Sequence, residues 1–387
     1  MIVTYQDGQN YGQQLQNYAL TCKLRQLGAQ PCTLSWSVRN LTSLAERRGA
    51  LAPFRTRYIP TTPPLYTARE LRCALAGCRA ALFGGDQIFR NGRGLPDPYQ
   101  PVLRFYGDFV AGRITLASYA ASFGIDHFEG DEHLIACCRA LLRRFDRLSV
   151  RERSGVEILA GTFGVEGIEV LDPVFLHDDR HYAQLIAAAD TGTAFATAGC
   201  TAYFSLDRPQ LTASLVQRCP DGRLVNIHSN AEGRMPSVEQ WLDAIRQARA
   251  VITDSFHCVA FCIIFRTPFT ALRTAERGDA RMEHLLARCA MSSRLLNSPE
   301  ELSSDDFAPA SDWRGAETYL STMRPLSERY LQEVLDIEPG YKVPYLLEPS
   351  LARLRHDYER VYERYRRVQH LHERLLSTAG RSRGRSR

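Results

Sequence analysis

The sequence predicts an α/β protein whose two parallel-sheet domains face each other across a cleft, followed by a C-terminal helical extension. Short apolar strands alternate with amphipathic helices over residues 1–176, and a second alternation of comparable size lies within residues 177–338. Two successive blocks of this kind are typical of two parallel-sheet layers. Residues 339–387 contain an amphipathic segment and an Arg-rich tail that we expect to be disordered.

The composition is that of a soluble globular protein. The 387 residues suffice for two domains of ordinary size, and 44% of them are hydrophobic and 24% charged. We find no secretory leader and no uncharged apolar run of roughly 18 or more residues, so we expect a cytoplasmic protein. The 11 cysteines form no C-x-x-C pair and are expected to be reduced thiols.

The charge pattern bears on the ligands. The net charge of +5 is modest, and much of it lies in the last 35 residues, which does not favour nucleic-acid binding by the core. Lys occurs only at Lys23 and Lys342, and every other basic residue is Arg. An anion-binding clamp in this chain must therefore use Arg, whose planar fork binds phosphate or carboxylate bidentately.

The first domain opens with a strand at 2–5, a polar loop at 6–12 and an amphipathic helix at 13–27. The loop lacks the G-x-G-x-x-G pattern of dinucleotide-binding folds. Residues 37–69 are irregular, rich in Arg and Pro, and are predicted to be an insertion. The remaining elements are predicted as strands at 32–36, 80–83, 114–119 and 145–150 and as a helix at 154–163, and residues 170–175 close the first half.

The second domain repeats the alternation. Its clearest helix, at 237–248, starts at Ser237, a favourable N-cap, and has Glu239 in its first turn. The other elements before and after it are predicted as strands at 194–198 and 223–228 and as helices at 210–218, 280–290 and 312–335.

The stretch 250–272 is predicted to form a strand, a turn, a helix and a second strand. Between the first strand and the middle of the helix, the charged or protonatable side chains of interest are Asp254 and His257, and both stand where the strand ends and the helix begins. Ligands of open α/β sheets bind at that edge, and a helix N-terminus favours an anion there. In the first domain, Gly84 and Gly85 end a strand before Asp86 and permit close backbone approach to a ligand.

The C-terminal segment 349–375 repeats apolar residues at near-heptad spacing. Such a helix makes a coiled-coil homodimer, packs back on the domains, or lies as a peripheral element on an anionic membrane leaflet. The sequence leaves these three alternatives open.

The motifs together resemble the polysaccharide pyruvyl transferase family. They occur in the family's order over roughly residues 3 to 336, and the tail lies outside the resemblance. The matching segments are Asn10-Tyr11-Gly12 with Leu15-Gln16-x-Tyr18-Ala19-Leu20, Gly84-Gly85-Asp86-Gln87, residues 118–124 (SYAASFG), residues 149–155 (SVRERSG), Leu171-Asp172-Pro173, residues 251–257 (VITDSFH), and Arg277-Gly278-x-x-Arg281 with Leu285-Leu286.

The resemblance implies a glycosyltransferase-B-like fold of two Rossmann-like domains. It also implies transfer of the enolpyruvyl unit of phosphoenolpyruvate to two hydroxyls of a sugar, which forms a pyruvate ketal and releases phosphate. Phosphoenolpyruvate is then a co-substrate, and we expect no bound cofactor. We find no metal-ligand spacing, and His228 and His284 are unclustered.

The resemblance makes the second domain the donor side and His257 the family's characteristic histidine. His257 is the expected general acid, since the unperturbed pKa of histidine lies near working pH. Some members have Arg two residues earlier, where this chain has Ser255. We therefore expect Arg277 or Arg281 to supply the missing positive charge.

Three other candidate residues each have a possible structural role as well as a possible functional role. Asp86 is the expected general base, or it caps its loop. Arg151 binds the anionic donor, or it pairs with Glu152 or Asp146. We favour Asp254 as the cap of the helix that carries His257 over a direct role in chemistry.

The acceptor is expected against the first domain. Asn10 and Gly12 either contact the acceptor or only shape a turn. We expect Asp172-Pro173 to end a strand at the domain crossover rather than to bind substrate. The predicted acceptor-binding residues are Asn10, Tyr11, Gly12, Gly85 and Gln87.

These features favour an enzyme that modifies a surface glycan or its lipid-linked oligosaccharide precursor at the cytoplasmic membrane face. Two alternatives stay open at this point. One is an enzyme of the same fold that uses another donor, such as a nucleotide sugar, and Ser255 keeps it open. The other is a non-catalytic component of a glycan-assembly complex, docked through the C-terminal helix.

Overall fold

A computed structural model gives the fold of most of the chain. It describes residues 1–5, 10–35, 51–65, 67–91, 100–189, 195–229, 233–274, 279–307, 312–343 and 345. The predicted C-terminal helix, the tail and Arg277 lie outside the described residues.

The first sheet contains the parallel strands β1 (Ile2–Val3), β2 (Ala80–Gly84) and β4 (Thr115–Tyr119), in the order β1-β2-β4. Single bridges extend it at both edges, from Ile2 to Thr33 and from Ala117 to Arg147. Beyond the second edge lie two further parallel strands, β5 (Ser149–Val150) and β6 (Ile168–Glu169). A separate antiparallel ribbon pairs β3 (Gly112–Arg113) with β12 (Tyr341–Lys342).

The second sheet is fully parallel, and β9 (Ala250–Thr253) is its central strand. The order is β11-β10-β9-β7-β8, with β7 (Thr201–Phe204), β8 (Leu224–Asn226), β10 (Phe269–Leu272) and β11 (Leu295–Leu296). All four residues of β9 are buried, as an apolar run covered on both faces of a parallel sheet requires. The turn at Asp254 and Ser255 therefore leaves the carboxyl edge of the sheet at its centre.

Helices cover both sheets. Their bounds are α1 Tyr11–Gln26, α2 Ala52–Tyr58, α3 Ala68–Leu75, α4 Gln100–Phe105, α5 Glu132–Leu142, α6 Arg153–Gly161, α7 Asp179–Ala187, α8 Thr212–Arg218, α9 Val238–Gln247, α10 Phe256–Phe265, α11 Ala280–Arg288 and α12 Arg314–Asp336. A short 3-10 helix, Pro173–Leu176, connects the two halves of the chain.

Most predicted elements occur, and the exceptions have local causes. The strand predicted at 194–198 is wrong, because the strand of that region is β7 at Thr201–Phe204. Gly199 has φ 71° and turns the chain, so extended pairing starts only after it. The prediction that Asp172-Pro173 ends a strand is also wrong, since β6 ends at Glu169 and residues 173–176 form the 3-10 helix.

Helix α12 links the two sheets. Its first half packs Ala316 and Met323 into the core that includes α10 and β10. Further along, Ser327 Oγ accepts a hydrogen bond from Leu171 N at 2.9 Å, and Tyr330 OH donates to Ser118 O at 2.7 Å. The helix thus starts on the second sheet and ends on the first. Within the described part of the chain, no helix is both long and apolar enough to cross a membrane.

Candidate active site

His257 lies in the first turn of α10, and Ser255 caps that helix. Ser255 has extended backbone geometry, and its Oγ accepts from Cys258 N at 3.4 Å. Helix α10 is apolar and almost entirely buried, which places the imidazole at the bottom of a cleft. The side chain of His257 is 8% exposed.

Asp254 is not the cap of α10, and this corrects the prediction from sequence. Its carboxylate instead accepts from Leu206 N at 2.8 Å, from Asp207 N at 3.2 Å and from Ser205 Oγ. Because Asp254 is one residue nearer the strand than the N-cap, it faces the end of the neighbouring strand β7. Its contacts with the 205–207 turn hold one wall of the cleft.

The N-terminus of α1 faces α10 across the cleft. Asn10 caps α1, since its Oδ1 accepts from Gly12 N at 2.9 Å and Gln13 N at 3.4 Å. Asn10 still lines the cleft, together with Gln13, which the sequence analysis did not single out. Gly12 packs directly against His257.

Tyr11 does not reach the cleft, contrary to its predicted role in acceptor binding. It is 2% exposed, and its ring stacks on Trp241 at 4.8 Å between centroids with an interplanar angle of 6°. Its hydroxyl donates to Pro236 O at 2.7 Å, and burial raises the pKa of Tyr11 well above its usual value. Tyr11 thus joins α1 to α9 of the other half.

The residues after β2 divide into two groups. Gly85 has φ 94° and packs against Gln16, since a Cβ there would lie 1.6 Å from Gln16 Oε1. It is therefore a glycine required by its packing against α1, and it is not among the residues that line the cleft. Asp86 and Gln87 do line the cleft, and Asp86 Oδ1 accepts from Gln87 N at 2.8 Å.

Arg151 is buried beneath the cleft and is surrounded by carboxylates. Its side chain is 1% exposed and lies 2.5 Å from Asp172, 3.4 Å from Asp86 and 3.8 Å from Glu152. Burial by itself lowers the pKa of Arg151, but these three carboxylates raise it above its usual value. Of the two alternatives predicted, ion pairing is the one observed. Asp146 is not a partner, because it pairs with Lys342 at 2.6 Å.

Asp172 is the functional candidate that the sequence analysis assigned wrongly. It ends no strand. Its Oδ2 lies 3.6 Å from His257 Nε2, and its Oδ1 accepts from Val174 N at 3.1 Å. Burial alone would raise the pKa of Asp172, but the charges of His257 and Arg151 lower it to about 2. A signal was present, since Asp172 is the one charged residue in the apolar run 170–176.

Arg281 supplies a cation to the cleft. It lies in the first turn of α11, lines the cleft, and its guanidinium stands 5.5 Å over the ring of Phe256. The Arg151 guanidinium lies 4.8 Å from the centre of the same ring. Favourable cation–π contacts occur at these distances, so Phe256 holds both arginines near His257.

The N-termini of three helices, α1, α10 and α11, line this one cleft. Among the described residues its lining consists of Asn10, Gln13, Asp86, Gln87, Leu206, Asp254, Ser255, Phe256, His257, Thr274, Asp279, Arg281 and Met282. Of its carboxylates, Asp86 lies beside Arg151, Asp254 accepts bonds from the 205–207 turn, and Asp279 accepts from Thr274 N at 3.0 Å. The arrangement can therefore bind an anion next to a histidine.

The described residues contain no group of three or more His, Cys, Asp or Glu side chains arranged to bind a metal ion. The side chains that line the cleft can take part in proton transfer and in anion binding.

The solved structures that match this chain include the following two. The UDP-N-acetylglucosamine 2-epimerase of Rickettsia bellii superimposes with a TM-score of 0.50 and 8% identity, over 86% of this chain and 94% of the epimerase. A variant of the O-GlcNAc transferase from Thermobaculum terrenum gives a TM-score of 0.38 and 13% identity, over 93% of this chain and 66% of that protein. The epimerase match confirms the predicted glycosyltransferase-B-like α/β fold and carries nothing about activity.

Comparison with sequences identifies the family. Curated protein sequences give no significant match to the chain. A profile described as "Polysaccharide pyruvyl transferase" matches residues 10–276, which is more than half of the chain. The match includes the cleft residues from Asn10 to Thr274 and ends before Asp279, Arg281 and Met282. The chain belongs to the polysaccharide pyruvyl transferase family.

Proposed function

We propose that this protein transfers the enolpyruvyl group of phosphoenolpyruvate onto two hydroxyls of a sugar, forming a pyruvate ketal and releasing phosphate. The sugar belongs to a surface polysaccharide or its lipid-linked precursor. One observation carries the proposal. His257 lines a cleft together with Arg281 and the N-termini of α1, α10 and α11, so a proton donor stands among groups that attract anions.

Phosphoenolpyruvate presents a phosphate and a carboxylate, and both are matched by groups in the cleft. Backbone N–H groups at a helix N-terminus and an Arg fork are the usual ligands of such oxygens. Arg281 takes the place of the Arg that some family members carry where this chain has Ser255. In this chain Ser255 caps α10 with its Oγ instead, which keeps the helix N-terminus ordered beside the donor.

The reaction requires one proton at carbon and the loss of two hydroxyl protons. His257 protonates the methylene carbon of the enolpyruvyl group, and the neighbouring carbon becomes oxocarbenium-like. The first sugar hydroxyl adds there and loses its proton. Phosphate then leaves, and the second hydroxyl adds to the same carbon and loses its proton to complete the ketal. One released proton restores His257, and the other leaves with the phosphate.

Asp86 is the proposed base for the hydroxyl protons. Its carboxylate lines the cleft and is oriented by Gln87 N and by Arg151. The amide side chains of Asn10, Gln13 and Gln87 lie on the same wall. Amides donate and accept hydrogen bonds, as recognition of sugar hydroxyls requires.

The test is incubation of the purified protein with phosphoenolpyruvate and a lipid-linked oligosaccharide fraction. We expect phosphate release that depends on acceptor, and a product whose mass rises by one pyruvate less one water. A His257→Gln variant should lose the activity and retain the fold by circular dichroism. Full activity of that variant would contradict the acid role.

The same assay separates the alternatives. With nucleotide sugars in place of phosphoenolpyruvate, release of nucleotide and transfer of sugar would identify another donor and overturn the proposal. Failure of either donor to react with any glycan fraction, although the protein binds its glycan-assembly partners, would favour the non-catalytic alternative.

A further inference from the structure

We propose that Asp172 is a positioning residue for His257. Its carboxylate faces Nε2 of the imidazole from beneath the cleft and fixes the orientation and the tautomer of the ring. This inference rests on the proposed function, because it assigns a partner to the proposed acid.

The side chains of Asp172 and His257 face each other. Asp172 Oδ2 lies 3.6 Å from His257 Nε2. His257 Nε2 is buried and has no hydrogen-bond partner among the described residues. The separation is within ion-pair range and slightly longer than a hydrogen bond. Hydrogen bonds of this kind commonly shorten when substrate binds.

Asp172 is itself held rigidly, which a positioning residue requires. Its side chain is 1% exposed, Arg151 Nη1 donates to its Oδ2 at 2.5 Å, and Val174 N donates to its Oδ1 at 3.1 Å. Pro173 follows it directly, and its ring restricts the backbone at the start of the 3-10 helix. The Asp172 carboxylate is therefore held in one orientation, and it can orient the imidazole of His257.

A purely structural role does not account for the charge of this cluster. Three carboxylates, Asp172, Asp86 and Glu152, surround the single guanidinium of Arg151. Backbone N–H groups offset part of this charge, from Phe123 N to Glu152 at 2.9 Å and from Val174 N to Asp172 at 3.1 Å. A second cation beside Asp172 would lower the free-energy cost of burying the remaining charge. An imidazolium at His257, formed when the acid is recharged during turnover, is such a cation and faces Asp172.

The proposal is tested with Asp172→Asn in the full chain, which preserves side-chain volume and leaves Arg151 with Asp86 and Glu152. In protein labelled with ¹⁵N-histidine, the His257 signals are assigned by their loss in His257→Gln. We expect neutral His257 of the wild-type protein to carry its proton on Nε2, and the variant to lose this preference. We also expect kcat to fall by about 10- to 100-fold while KM for phosphoenolpyruvate changes less than about threefold.

Asp146→Asn is the matched control. Like Asp172, Asp146 pairs with a cation, Lys342, and accepts from a backbone N–H, Leu116 N at 2.8 Å, but it does not line the cleft. The control should change neither the tautomer nor kcat.

Three outcomes would overturn the inference. One is a neutral wild-type His257 protonated on Nδ1, and this result does not depend on whether Asp172→Asn folds. Another is an Asp172→Asn protein with unchanged tautomer and kcat. The third is a variant that only loses stability, with unchanged tautomer, because that is the signature of a structural role. If wild-type protein transfers no pyruvyl group, the proposed reaction fails, whereas the tautomer comparison still decides the role of Asp172.

Discussion

The backbone of Gly12 lies against the imidazole of His257. A Cβ at residue 12 would be 2.0 Å from Nδ1, 2.4 Å from Cγ and 2.7 Å from Cε1, closer than atoms in van der Waals contact. Gly12 belongs to α1 and His257 to α10, so a helix beside the first sheet forms the surface on which the histidine of the second sheet rests.

Gly12→Ala should therefore displace the imidazole or push α1 away. We expect kcat to fall at least 10-fold and the free energy of unfolding to fall by about 1–3 kcal/mol, because overpacking a close contact costs that much. Phosphate release and urea unfolding measure the two effects.

Gly161→Ala is the matched control for Gly12→Ala. Gly161 is also helical, and a Cβ there would meet no atom within 4 Å. This variant should keep wild-type kcat and gain slightly in stability, since alanine reduces the freedom of the unfolded chain. Equal effects of the two substitutions would contradict the steric argument.

Arg281 is expected to bind the donor. Arg281→Ala should raise the Kd for phosphoenolpyruvate by about 10-fold or more, in line with the loss of a charge-assisted contact. Isothermal titration calorimetry measures this. The double variant Arg281→Ala/Ser255→Arg restores a cation and should recover part of the affinity. Arg314→Ala is the control: this arginine is exposed and pairs with Asp312, so its loss should leave the affinity unchanged. Wild-type affinity of Arg281→Ala would show that Arg281 does not contact the donor.

Stability should depend on pH through His177. This residue donates from Nε2 to Ala19 O at 2.9 Å and stacks on His181 at 4.0 Å. Burial, followed by the charge of His181, lowers the pKa of His177 to about 4, with Lys23 acting in the same direction and Asp178 against it. The unfolded chain, with a pKa of about 6.5, therefore takes up a proton that the folded protein does not. Stability is thus lost as the pH falls from about 6.5 to about 4, by up to roughly 3 kcal/mol.

Urea unfolding at several pH values across this window measures the effect. His177→Gln keeps an N–H donor for Ala19 O and removes the titration, so its stability should fall less steeply. Some slope should persist, because burial also lowers the pKa of His181 and His228. An unchanged slope in His177→Gln would exclude His177 as the source.

Glu169 should hold the two halves together. It is the last residue of β6 in the first half. Its Oε1 accepts from His284 Nε2 at 2.9 Å, Tyr319 OH at 3.3 Å and Arg288 Nη2 at 3.5 Å, and all three lie in the second half. Burial opposes its ionisation, but these contacts, with His284 first, lower the pKa of Glu169 below its usual value. Glu169→Gln should lower the free energy of unfolding by about 1–3 kcal/mol.

Glu166→Gln, at a nearby exposed residue, is the control for Glu169→Gln and should leave stability unchanged. A double-mutant cycle of Glu169→Gln with His284→Gln isolates the energy of that pair. A coupling energy near zero would mean that Glu169 contributes through its other partners.

Secondary-structure elements and helix N-caps were predictable where they depend on residues that are close together in the sequence. Ser237 caps α9 as expected, with Gln240 completing a capping box, because an N-cap depends only on residues a few positions apart. The strand before Asp254 and the apolar helix after it were likewise visible as buried runs. The shift of β7 to 201–204 was not, because it depends on the backbone conformation of one glycine and on pairing with β9.

Taken by itself, the sequence determined the alternation of strands and helices, the order of the family's motifs, and the position of His257 at a helix N-terminus. These follow from periodicity and local hydrogen bonding. Only the tertiary structure decided which side chains meet. Gly12, Asp172 and Arg151 are 245, 85 and 106 positions from His257 in the chain, and they converge on His257 or on the cluster beneath it. Their partners depend on how two sheets pack, and no short-range pattern of residues records that packing.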